Sequence, residues 1–317
     1  MFSPLSLVFC GTPPFAVPTL EKLADAGHRI HLVVTQPDRP KGRGLELIPS
    51  PVKQSALRLS LPLLQPEKIK TNDAFRAQLT TLNPDAIIVV GYGRIIPHWM
   101  IDLPRFGNIN LHASLLPKYR GAAPIQWAIA KGETTTGVTT MRIDVGLDTG
   151  DILEQRELPI DIEDTAETLS PRLAAIGADL VVETLNGLQD GSIHPRPQDH
   201  ARATLAPILA KEDGIADFTK PAPEIFNRIR GFQPWPGMHT KFHGKGLRIW
   251  KALPASAEPR TQLKPGQLQV LEDRLFVGCG NDTSLELIEV QLEGKKRSSA
   301  RDFLHGYRPV NEEKLGH

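Results

Sequence analysis

Three polar residues alternate with apolar ones in the stretch NINLHASLLPKYRGAAP, residues 108–124. Asn110, His112 and Ser114 stand against Ile109, Leu111 and Ala113. In an extended strand, residues two apart share a face, so the three polar groups are expected on one side. Such a face is either solvated surface or a site. An amide can donate a hydrogen bond to a developing oxyanion, and an imidazole exchanges protons near neutral pH. A second stretch with chemistry is RIDVGLDTGDIL, residues 142–153, which sets Asp144, Asp148 and Asp151 around two glycines. Alone, a glycine-rich acidic stretch reads equally well as an ordinary turn. Beside an imidazole, a carboxylate fixes the tautomer and stabilises the charged ring. Asn110, His112 and Asp148 are thus a candidate acyl-transfer set that needs no protein nucleophile.

A third stretch, QPDRPKGRGLELIPSPVK at residues 36–53, holds four prolines, two glycines and the cations Arg39, Lys41, Arg43 and Lys53. No period of 2 or 3.6 organises it, which predicts an irregular loop. Loops this long inside compact domains are functional or disordered. A solvated surface loop and a phosphate-contacting segment both fit the composition.

These residues need elements to hold them. Strands are predicted at 5–11, 29–36, 62–67 and 84–93, and helices at 14–27 and 73–83. Strands alternating with helices imply parallel βαβ units and a doubly wound sheet. Ligands bind such sheets at the carboxyl ends of the strands, where the Asn110–His112 strand would deliver its polar face. GTPPFA follows the first strand where a dinucleotide fingerprint would stand. It offers only Gly11 and two prolines, which argues against NAD. A long amphipathic helix is expected over 166–188. Residues 189–206 open a stretch rich in proline, glycine and charge, a linker composition. Beyond it, LRIWKAL, GQLQVLEDRLFVGCG and SLELIEVQLEGKK are short strands with turn residues between, as in a small β-barrel. The expected division is a catalytic domain over 1–188, a linker over 189–206 and a C-terminal domain over 207–317. A chain cut near Ala206 is expected to fold on the core of the sheet.

The chain of 317 residues is 40% hydrophobic and 23% charged, with a net charge of +1. That balance gives no reason for the whole protein to coat nucleic acid. The charge is uneven: residues 1–200 hold 19 Lys and Arg against 22 Asp and Glu, or −3, and residues 201–317 hold 18 against 14, or +4. A basic C-terminal part suits either a solvated surface or an anionic partner. Cys10 and Cys279 lie far apart and form no disulfide framework or zinc spacing. Cys10, ending LSLVFC, reads as a small buried hydrophobe. No signal peptide is seen, and no run reaches the ~18 apolar residues of a membrane span. The expected setting is a reducing cytoplasm.

NINLHASLLPKYRGAAPIQWAI with DVGLDTGDIL resembles the signature of the 10-formyltetrahydrofolate-dependent formyltransferases. FCGTPPFAVPTL, TQPDRPKGRG, IRGFQPWPG and LEGKKRSSARDFL are similar, along nearly the whole chain, to the branch of that family acting on methionyl initiator tRNA. One small departure is Gly91 in VVGYGRIIP, where Ala is usual. The resemblance implies a Rossmann-like folate-binding domain followed by an OB-like β-barrel domain that helps to hold tRNA. It implies Asn110, His112 and Asp148 as catalytic residues. Ser114, Leu115, Leu116 and Pro117 would bind the folate, their turn giving the pterin free backbone groups and an apolar wall. Arg39, Lys41 and Arg43 would meet the acceptor arm of the tRNA. The cosubstrate would be 10-formyltetrahydrofolate, with no metal, and the protein a monomer with no membrane partner. Trp235 and Trp250 are core residues or stacking platforms for bases. Two other readings stay open: a formyltransferase acting on a small amine, and a non-catalytic RNA-binding protein that keeps the folate fold.

Overall fold

The computed structural model of the chain describes residues 3–41, 46–255 and 262–316, and of Lys41 and Glu46 the backbone alone. Arg43 lies outside the described residues. The chain divides into two compact units, neither of them one continuous stretch. Met1–Gly121, Thr136–Pro159 and Ser170–Ala206 form the first; Ala122–Thr135, Ile160–Leu169 and Pro207–His317 form the second.

The first unit begins β1 (Ser6–Gly11), α1 (Val17–Asp25), β2 (Arg29–Val34), β3 (Arg39–Lys41), β4 (Glu46–Ile48), α2 (Pro51–Arg58) and β5 (Leu63–Leu64). It continues α3 (Asp73–Leu82), β6 (Ala86–Val90), α4 (His98–Ile101) and β7 (Asn108–His112). Then α5 (Pro124–Ala130) belongs to the second unit, and β8 (Thr135–Arg142), β9 (Ile152–Pro159) and α6 (Ala166–Asp190) follow. Seven strands form one sheet in the order β5-β2-β1-β6-β7-β8-β9. The ladders from β5 to β7 are parallel, and β8 runs antiparallel to β7. SLVFCG and AIIVV are buried almost throughout, as strands covered on both faces must be. One face packs on Phe75 and Leu79 of α3. On α6, Gly177 faces Leu111 of β7; a Cβ there would stand 2.7 Å from the leucine Cδ2. That absent side chain lets helix and strand close up. Strand order reverses between β1 and β6, where the crevice of a doubly wound sheet opens, and β7 is the next strand beyond β6.

Three features differ from the sequence expectation. The strand carrying Asn110 and His112 stops at His112, so Ser114 sits in a bend and not on the same strand face. The stretch 36–53 is not wholly irregular. Here β3 and β4 pair antiparallel, and α2 starts at Pro51 with the Ser50 side chain accepting from Lys53 N at 3.1 Å. A serine before a proline is a helix-start signal, and it was there to read. Lys53 consequently lies on a helix, where its Nζ pairs with Asp38. Third, β8 and β9 flank the acidic loop. TTGVTTMR hides its strand because Thr136, Thr139 and Thr140 are buried. Threonine on a fully covered strand mimics a polar surface in sequence.

The second unit holds α5 and α7 (Ala222–Gly231), then β10 (Met238–Phe242), β11 (Lys245–Pro254), β12 (Leu268–Leu271), β13 (Arg274–Gly278), β14 (Ser284–Leu292), β15 (Ser298–Ser299) and α8 (Ala300–Tyr307). Its OB-like sheet is antiparallel, in the order β10-β11-β14-β13-β12, with β15 on β14. Ile225 and Ile229 of α7 and Phe303 of α8 pack on Ile249, Val277 and Val290 of this sheet. α5 belongs here through Trp127, whose ring meets Phe232 edge-on at 5.3 Å and whose Nε1 donates to Pro207 O at 2.9 Å. Cys10 and Cys279 are both buried. Burial pushes both thiols up, Cys279 to about 12, which leaves them protonated and inert.

Candidate active site

β7 ends at the carboxyl edge of the sheet, and its last residues are the chemical ones. His112 is buried, with its Nε2 2.9 Å from Tyr119 O. A carbonyl only accepts, so Nε2 carries the hydrogen. Nδ1 then faces the Asp148 carboxylate, 3.7 Å from Oδ2. Asp148 sits in the loop between β8 and β9, in the left-handed region at φ +50°. Its Oδ2 accepts from Gly121 N at 2.8 Å. Gly121 itself has φ +123°, and a Cβ on it would stand 2.6 Å from Ala206 O. Only glycine brings that N–H to the carboxylate. Asn110 is half-buried on β7, and its side-chain amide has no partner among the described residues.

The structure thus brings His112 and Asp148 together, with Asn110 two residues before His112 on the same strand, and it gives Asp144 a different task from Asp148. Asp144 is exposed and staples the loop, accepting from Gly146 N at 2.9 Å and Thr149 Oγ1 at 2.7 Å.

The turn Ser114–Pro117 follows directly, with a cis Leu116–Pro117 bond. Its carbonyls are already engaged. Thr139 Oγ1 donates to Ser114 O at 2.6 Å, Lys118 N to Leu115 O at 3.1 Å and Gln155 Nε2 to Leu116 O at 2.9 Å. Leu116 N donates to Thr139 Oγ1, and the Ser114 hydroxyl to Lys118 O. Of the backbone groups expected to meet a ligand, the carbonyls and Leu116 N are thus engaged within the protein. What the turn offers a ligand is the half-buried apolar surface of Leu115 and Pro117. Leu116 points into a cluster with Met141 and Ile152.

Arg39 is exposed on β3, and the side chains of Lys41 and Arg43 lie outside the described residues. In the second unit Trp235 is 54% exposed. Trp250 is half-buried, with the Arg248 and Arg297 guanidinium carbons 3.9 and 4.9 Å from its ring centroid.

Residues 5–185 match the family described as formyl transferase, and residues 208–308 its C-terminal domain. The chain belongs to the formyl transferase family. This formyl transferase is 65% identical over 310 residues to the methionyl-tRNA formyltransferase of Koribacter versatilis (strain Ellin345), with 98% of each chain covered. Its fold is that of the N-formyltransferase from Helicobacter canadensis, solved with folinic acid and dTDP-3-aminofucose: TM-score 0.66, 19% identity, 89% of this chain and 98% of that one. HypX from Aquifex aeolicus, in complex with tetrahydrofolic acid, matches with a TM-score of 0.62 at 18% identity. That match covers 95% of this chain and 47% of HypX, so this chain spans about half of HypX.

Sequence reasoning missed Tyr119, Gly121, Thr139 and Gln155. Gly121 alone carried a signal, as a glycine just beyond a proline-broken turn. The other three act through one carbonyl, one hydroxyl and one amide, and nothing in their spacing marks them.

Proposed function

We infer that this chain transfers the formyl group of 10-formyltetrahydrofolate to the α-amine of methionyl initiator tRNA. One observation carries the reading: an Asn110 amide without a partner among the described residues lies two positions before an imidazole held between a carboxylate and a carbonyl. It has the support of the curated relative from Koribacter versatilis, matched over 98% of each chain.

Free α-amines titrate near pKa ~7.7–8.0, and an ester neighbour lowers that further. The site therefore needs no strong base. It must hold amine and formyl carbon together and stabilise the oxyanion that forms on attack. Asn110 donates its amide N–H to that oxyanion. His112 is the second donor; its Nε2 hydrogen, given to Tyr119 O in the structure, changes acceptor to reach it. Asp148 orients His112, stabilises positive charge on the ring, and takes the proton that the attacking amine sheds. The proton finally goes to N10 of the leaving tetrahydrofolate. Leu115 and Pro117 wall the folate side, on a turn that Ser114 and Leu116 anchor. Arg39, Lys41 and Arg43 meet phosphates of the acceptor arm.

The folate and the chemistry belong to the first unit, which takes in residues 170–206, and further tRNA contact to residues 207–317. The protein works as a monomer in the cytoplasm; no helix among the described residues is long and apolar enough to cross a membrane. The test is to mix the chain with 10-formyltetrahydrofolate and methionyl initiator tRNA and look for acid-stable formyl-methionine. Product only from small amines would move the chain to the other branch of the family, and no product from either would leave a binding protein.

A further inference from the structure

Residues 196–206, the second half of the stretch of linker composition, are tied at both ends to the catalytic unit. Arg196 exchanges two backbone hydrogen bonds with Ile152, each 2.8 Å. Arg120 N donates to Thr204 O at 2.8 Å and Ala206 N to Arg120 O at 2.7 Å, while Tyr119 N donates to Thr204 Oγ1 at 2.9 Å. Between these ties lies Gln198, 6% exposed.

Every hydrogen-bonding position of the Gln198 amide is used. Nε2 donates to Asp148 O at 2.9 Å and to Gly150 O at 2.7 Å. Oε1 accepts from Arg120 Nε at 3.1 Å and Nη2 at 2.6 Å. The orientation is unambiguous, because exchanging O and N would set an oxygen against two carbonyls and an NH2 against a guanidinium. Arg120 is buried in turn, and its Nη2 also lies 3.1 Å from His200 Nδ1.

These contacts close a ring around Asp148. Arg120 precedes Gly121, whose N–H holds the Asp148 carboxylate; Arg120 holds Gln198; Gln198 holds the Asp148 carbonyl. A non-glycine residue at φ +50° persists only where its surroundings over-determine it. Gly121 grips the side chain and Gln198 grips the main chain. Without the second grip, Asp148 could relax its backbone and swing the carboxylate away from His112.

We propose that Gln198 is a positioning residue for formyl transfer. It fixes the backbone of Asp148 so that the carboxylate stays on His112, and Arg120 locks Gln198 in place. The inference rests on the role given to Asp148 above. Gln198 touches no substrate and acts through Asp148 alone.

The test uses kcat and KM for 10-formyltetrahydrofolate and methionyl initiator tRNA in the full-length chain. Gln198→Glu keeps an oxygen for Arg120 but faces the two loop carbonyls with a second oxygen in place of a donor. Gln198→Asn keeps the amide but is one methylene too short to span Arg120 and Asp148. Either variant should lower kcat about 10–100-fold, the scale of a misplacement near 1 Å, with both KM values within about twofold. In an Asp148→Asn background, adding either change should alter kcat less than about twofold, because residues acting as a unit are not additive. A purely structural role would instead multiply the two losses in full, and that result would overturn the proposal. If one variant fails to fold, the other carries the comparison. Slow Asp148→Asn beside full-rate Gln198→Glu and Gln198→Asn would sink this inference alone. A wild-type rate for Asp148→Asn would remove the role of Asp148 and this proposal with it.

Discussion

Gly121 N–H donates to Asp148 Oδ2 at 2.8 Å, so the carboxylate that faces His112 is held by a backbone group 27 residues away in sequence. The bond leaves the other carboxylate oxygen unassigned to Gly121. It also makes Asp148 testable by a change that keeps its acceptor. In Asp148→Asn the amide oxygen can still take the Gly121 hydrogen, while the negative charge is lost. The fold and folate binding should survive, and turnover should fall by ~10²-fold or more, the scale of an electrostatic or acid–base partner. Steady-state formylation with purified variant decides it, and a near wild-type rate rejects the role.

Gly121 itself cannot be replaced cheaply. Alanine there meets the Ala206 carbonyl and a φ of +123°. Gly121→Ala should lower unfolding free energy in urea by about 1–3 kcal/mol from the backbone alone. Its kcat should fall too, because the N–H moves off Asp148. Unchanged stability and unchanged kcat would show that the bond carries neither.

Arg43 lies in the basic stretch that the proposed function sets against phosphates of the acceptor arm. Arg43→Ala should weaken tRNA engagement while folate binding is unaltered, and should flatten the dependence of log affinity on log salt by about 1. The measurement is tRNA binding across a salt series, beside turnover of a minimal methionyl ester. An equal defect on both substrates would point to chemistry and not to phosphate contact.

A chain ending at Ala206 tests the expectation that the sheet stands alone. It lacks Phe232 and Pro207, so the Trp127 ring and its Nε1 lose their partners, and α5 loses α7. Such a fragment should bind hydrophobic dye or aggregate, where a simple linker cut would leave it well behaved. Circular dichroism melting and light scattering distinguish the two; a cooperative, monomeric melt would restore the simpler view.

His28 gives a pH prediction. Its Nδ1 accepts from Leu5 N at 3.2 Å, and burial lowers its pKa below the ordinary 6.5. The unfolded chain therefore takes the proton first. The stability that His28 contributes is complete above pH 6.5 and is lost as pH falls through the depressed value. Between pH 6.5 and 5, Tm should decline more steeply for wild type than for His28→Gln. Parallel declines would mean that His28 titrates alike in both states.

Much of this protein was legible without coordinates. Apolar runs such as LSLVFCG and AIIVV declare buried parallel strands because nothing polar is tolerated on either face. Asn110, His112 and Asp148 were marked by residue type, since few side chains can donate to an oxyanion or charge an imidazole. Even so, their sequence neighbours misled. Ser114 looked like a third member of a strand face, and the strand ends two residues earlier. In SLLP, Thr139 and Gln155, which arrive from β8 and β9, take the Ser114 and Leu116 carbonyls and Leu116 N.

What the tertiary structure decided was the set of long-range hydrogen bonds. Gly121, Gln198 and Tyr119 hold Asp148 and His112 through amides and carbonyls, groups that almost every residue possesses or resembles. A local pattern records which side chains can react and which faces are apolar, because those follow from chemistry and from helix or strand period. It does not record which backbone N–H meets which carboxylate. That depends on how distant segments close on one another, and only the folded chain brings residues 121, 148 and 198 together.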